Sequence, residues 1–123
     1  MNGYRRTFDG TRNWLSGLLI AAAVGVSPSY ATEMTAGVVL REMKGKELFS
    51  YVYGIVDGMA YARFRKDSIA RGQKDEQGMA CIYNWFFADN AAAFGKVEAQ
   101  FRAHEDMIPP VIVAAIIKKE CGE

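Results

Sequence analysis

Between residues 47 and 66 the apolar side chains recur on one helical face, and no other feature restricts the fold of this chain as strongly. Leu48, Val52, Ile55 and Met59 fall at i, i+4, i+7 and i+11, and Phe49 and Val56 widen the stripe. This is the period of an α-helix that buries one side. The segment stays apolar on most sides until Arg63, so it is expected to be the central, largely buried helix. Gly54 and Gly58 lie within it, one helical turn apart. A glycine inside a helix costs about 1 kcal/mol relative to alanine. Two at this spacing predict that another helix or loop approaches the backbone there. Asp57 stands between them, which favours packing in a soluble core over a membrane dimer motif.

The rest of the chain also reads as helical. Thr35 is a candidate N-cap for a short first helix within residues 32–43, where Val38, Val39 and Met43 share a face. Lys44-Gly45-Lys46 is a break. Residues 67–78 are polar and carry Gly72 and Gly78, so a surface loop is expected there. Residues 79–87 (MACIYNWFF) are rich enough in large side chains to pass for a strand. No partner strand is visible elsewhere, so a helix is preferred. Asp89 and Asn90 are N-cap candidates for the next helix, in which Phe94, Val97 and Phe101 share one face. A turn at residues 104–107 follows. Pro109 and Pro110 open a last helix, where proline is tolerated. Val113, Ile117 and Cys121 line one side of it, and Gly122 ends it. The expected fold is all-α, a single small domain of four to five short helices.

Residues 1–31 read as a secretory signal peptide. Arg5, Arg6 and Arg12 are basic, an apolar run follows at 14–26, and Ser29 and Ala31 place small residues at a cleavage site. The run is about 13 residues, too short to span a bilayer, so no stable membrane anchor is expected. The periplasm is the expected location, and residues 32–123 the mature domain. In an exported chain the only two cysteines, Cys81 and Cys121, are expected to form one disulfide.

Charge and motifs exclude several kinds of chemistry. The whole chain has 15 basic and 14 acidic side chains. Without Arg5, Arg6, Arg12 and Asp9 the mature domain has a net charge of −1. Nucleic-acid binders carry a basic excess, so none is expected here. His104 is the only histidine and stands in a charged turn, where a solvated residue at the end of the preceding helix is expected. No zinc-finger, H-x-x-x-H or EF-hand spacing is present, and neither metal nor cofactor is expected. Asp57 is the one acid inside an apolar helix and is expected at a rim or capping a neighbour. The chain therefore reads as a non-enzymatic binding protein. Its rings are too many for so small a core, and an exposed aromatic patch points to a protein partner. Tyr83, Trp85 and Phe86, with Asp57 beside them, are the expected partner-binding residues. A homodimer is a further expectation.

Three stretches in chain order carry a family resemblance. They are Thr35-Ala36-Gly37-Val38-Val39-Leu40, then Tyr51-Val52-Tyr53-Gly54-Ile55-Val56-Asp57-Gly58-Met59, then Cys81 with a later helix ending in Cys121. Together they resemble the Rap/Tai-type immunity proteins of type VI secretion. The resemblance implies a small, all-α periplasmic protein that binds a peptidoglycan amidase effector and occludes it. A second resemblance is to HdeA-type acid-stress chaperones, which are also small, exported and held by one disulfide. In those proteins the first cysteine precedes the glycine-bearing helix, whereas Cys81 follows it here. That resemblance implies a chaperone that exposes apolar surface at low pH.

Overall fold

A computed structural model describes residues 33–122. The signal-peptide reading of residues 1–31 lies outside the described residues. Five helices follow in order: α1 (Ala36–Glu42), α2 (Lys46–Arg71), α3 (Gln77–Ala88), α4 (Asn90–Ala103) and α5 (Pro109–Cys121). No strand occurs among the described residues. The all-α expectation holds, although α2, at 26 residues, is not short.

With 7 residues, α1 is too brief to be stable alone. Thr35 caps it, its Oγ1 accepting from the Val38 N–H at 3.4 Å. The next two N–H groups, which no helical turn can satisfy, dock on the turn before α5. Ala36 N–H donates to the Met107 carbonyl at 2.8 Å and Gly37 N–H to the Glu105 carbonyl at 2.9 Å. A Cβ at Gly37 would sit 3.1 Å from Glu105 Cβ, so the absence of a side chain permits this approach.

The long helix α2 supplies the inner stripe Leu48, Val52, Val56 and Ala60, all buried, with Phe49, Ile55 and Met59 packed beside it. It continues to Arg71, five residues past the expected end, and closes on Gly72 in the left-handed conformation at φ 67°. Residues 67–71 are therefore helix and not loop. An ion pair one turn apart supports the extension, and a second ties the end of the helix to the loop beyond it. Arg63 Nε meets Asp67 Oδ2 at 2.7 Å, and Arg71 Nε meets Asp75 Oδ2 at 2.7 Å. Asp75, buried, then starts α3. Its N–H donates to Ser68 Oγ at 2.9 Å and its Oδ1 accepts from the Gln77 N–H at 3.0 Å.

The core gathers around Phe86 and Phe101, with Ile82, Val97 and Val113 also sealed from solvent. Phe49 joins them, its ring centroid 5.9 Å from Phe86 and 5.5 Å from Phe94. Asp89 caps α4 by accepting from the Ala92 N–H at 3.0 Å. The Cys81–Cys121 disulfide is formed, with Cα atoms 5.9 Å apart, and joins the start of α3 to the end of α5.

Close beside it, Arg63 donates from Nη1 to the Gly122 carbonyl at 2.9 Å. The guanidinium passes over Gly78. A Cβ there would lie 2.6 Å from Arg63 Nε and 2.7 Å from its Cγ, and closer still to Asp67 Oδ2.

Three stability predictions result. Replacing Cys81 and Cys121 with serine should cost about 4 kcal/mol for a loop of this length, read as a lower denaturant midpoint that reductant no longer changes. Gly78→Ala should destabilise by about 1–3 kcal/mol, since the Arg63–Asp67 pair must move. Gly54→Ala and Gly58→Ala should each stabilise by up to about 1 kcal/mol, because a Cβ at either meets nothing within 4 Å. Thermal unfolding of the three alanine variants checks the opposed signs.

Candidate partner-binding face

Along its outer side α2 carries side chains that the core does not take up. Tyr53 and Tyr61 are 39 % and 56 % exposed, and Gly54 and Gly58 are exposed between them. The close approach expected at the two glycines is absent among the described residues. The inner stripe at 48, 52, 56 and 60 leaves positions 54 and 58 about 200° away, pointing to solvent. The expectation of a largely buried α2 is corrected in the same way: one side is core and the other is open.

At the edge of this face α3 contributes Tyr83 and Phe87. The Tyr83 hydroxyl donates to Asp57 Oδ1 at 2.6 Å, which ties α3 to α2. Asp57 is half-buried, at a rim as expected. The carboxylate bond comes first in pushing the Tyr83 phenol up to about 12, with burial and the charge of Asp57 adding to it. Phe87 is 47 % exposed and packs edge-on against Tyr53 at 5.7 Å between ring centroids.

Of the four expected partner-binding residues, the structure brings two together, Asp57 and Tyr83. Phe86 is 0 % exposed and belongs to the core, so it cannot touch a partner. It falls one turn from Ile82, on the side of α3 that faces α2 and α4. Trp85 is half-buried and stands about 200° round α3 from Tyr83, on the other flank. The ring that reaches solvent beside Tyr83 is Phe87. Asn84 could have signalled this: as the one polar residue in the run it marks the outward side, and Phe87 lies closer to that side than Phe86 does.

His104 caps the end of α4, its N–H donating to the Gln100 carbonyl at 3.1 Å, and is exposed. Among the described residues no group of three or more His, Cys, Asp or Glu side chains could hold a metal ion. No described helix is long and apolar enough to cross a membrane. No family model, curated protein or solved structure matches the chain.

The Asp57–Tyr83 bond sets an alkaline limit. The fold holds the phenol proton more tightly than the unfolded chain, whose tyrosine titrates near 10.0. The stabilisation is complete below that pH and is lost as the pH rises towards 12. Phenolate absorbance should show Tyr83 ionising late, with burial also pushing Tyr51 up, and Tyr83→Phe should remove the Tyr83 step along with its share of the alkaline loss of stability.

Proposed function

We propose that this protein is an exported, non-enzymatic binding protein whose partner is another protein. By its resemblance to Rap/Tai-type immunity proteins, that partner is a peptidoglycan amidase, held off its substrate by occlusion. The observation that carries this reading is the outer face of α2 and α3. Tyr53, Tyr61 and Phe87 stand exposed there around the Asp57–Tyr83 bond. Large rings with few rotatable bonds give contact area at low entropic cost, and such residues dominate binding energy at interfaces. The bond between Asp57 and Tyr83 makes the face rigid before binding, so little ordering cost remains. Gly54 and Gly58 supply a level strip on which a partner's backbone can rest.

The test is to search beside its gene for one that encodes a secreted peptidoglycan amidase and to co-purify the two products. A one-to-one complex with the amidase inactive is the expected result. Phe87→Ser or Tyr61→Ala should weaken the complex by about tenfold or more, with thermal stability nearly unchanged. An amidase that stays active and elutes alone ends this reading. Unfolding with suppression of aggregation at about pH 3 would put the chaperone in its place.

A further inference from the structure

The line of α2 that faces directly away from the buried stripe carries opposite charges at its two ends. Glu47 lies nine residues before Val56 and Arg65 nine residues after it. Nine residues turn a helix by about two and a half turns, so both stand diametrically opposite Val56, which is sealed in the core. They are about 27 Å apart along the axis. Both are exposed, and neither side chain has a hydrogen-bonding or ion-pair partner among the described residues. No other charged residue between them comes within about 60° of the line. Gly54 and Gly58 fall within about 20° of it and Tyr61 within about 40°. Ile69 stands one turn past Arg65 and, at 71 %, is the most exposed large apolar side chain among the described residues.

A face with one sign at each end and no charge between is complementary to itself when two copies run in opposite directions. Two copies running the same way would set Glu47 against Glu47 and Arg65 against Arg65. We propose that two copies of this chain pair antiparallel along this face of α2, about a two-fold axis at the level of Val56. Glu47 of each copy then meets Arg65 of the other, and Gly54 lies across from Gly58. One patch serves both copies, as two-fold symmetry requires. The charges set direction and register. The glycines, with no Cβ, let the two backbones come close. A single helix seam lies at the low end of specific interfaces, about 1,200 Å² or less, and exposed ion pairs add little each. A dissociation constant of about 10–100 μM is therefore expected. The pairing does not rest on the amidase reading. It draws on the same strip, so the pair must part before a one-to-one complex with another protein forms.

The experiment measures by sedimentation the mass of the protein alone, recovered from cells expressing the full chain, at concentrations up to about 500 μM. The mass should rise from one chain to two with concentration, and added salt should weaken the pair. Glu47→Arg and Arg65→Glu each set like charges opposite one another twice in the pair, and each should weaken it about tenfold or more. Mixed in equal amounts, these two variants should pair with each other. Arg65→Ala should weaken the pair severalfold, whereas in a parallel pair it would strengthen it. Gly58→Leu, at an exposed position where a Cβ meets nothing within 4 Å, should keep thermal unfolding cooperative and abolish the pair. A single-chain mass at every concentration, a pair that the charge variants leave intact, variants that fail to pair when mixed, or a stronger pair in Arg65→Ala would each overturn the proposal. No amidase enters the experiment, so these outcomes leave that reading untouched.

Discussion

Arg63 ties three helices together at one point, and the arrangement of α5 depends on it. It leaves α2, is steadied by Asp67 one turn further on, crosses the first turn of α3 at Gly78, and ends on the carbonyl just beyond α5. Its side chain is only 17 % exposed. A surface ion pair is worth about 0–1 kcal/mol. This one gains from being half-enclosed and from pointing its charge at the carbonyl end of a helix. The disulfide lies beside it and attaches the same end of α5 to α3 by a covalent bond. One attachment is electrostatic and the other covalent, and between them α5 cannot swing. Its inner side, Ile112, Val113, Ile116 and Ile117, is thereby kept on the core.

The same constraint gives α2 its divided character. Residues four apart drift slowly round a helix, so the buried stripe at 48, 52, 56 and 60 winds as it goes. Gly54 and Gly58 wind with it on the far side. Two exposed glycines inside a helix lower stability and receive no packing from the described residues in return. Placed between Tyr53 and Tyr61, they make sense where a second surface comes close. That is why the outer face, more than any single ring on it, carries the proposal of a protein partner.

Much of the fold was legible because it depends on periodicity and end signals. Thr35 and Asp89 cap as their side-chain oxygens suggest, Pro109 opens α5, and both cysteines pair. The end of α2 was missed because glycine and polar composition were weighed above the i, i+4 pairing of Arg63 with Asp67. The candidate face was only half legible. In a run as uniformly apolar as residues 79–87, the period cannot say which of two adjacent phenylalanines turns inward, and tertiary packing decides between Phe86 and Phe87. Gly54 and Gly58 misled for a different reason. Their spacing signals a close neighbour, but sequence does not say whether that neighbour belongs to the same chain. Gly78, whose missing side chain does admit a neighbour, sits in no motif at all. Its role depends on Arg63, fifteen residues away in the chain.

The two flanks of α2 divide the helix without sharing residues. Tyr53 and Asp57 turn towards the α3 edge, while Met59, Ala62 and Lys66 line a groove beside α5. What the flanks share is rigidity, since Tyr83 fixes one edge and Arg63 the other. Both fixings are polar, lie at the rim of the core and join α2 to an element far along the chain. A core of aliphatic side chains alone tolerates small slides between helices, because dispersion contacts are non-directional. A 2.6 Å bond from a phenol to a carboxylate and a 2.9 Å bond from a guanidinium to a carbonyl do not. They hold the register of α2 against α3 and α5, and that register determines which side chains each flank presents.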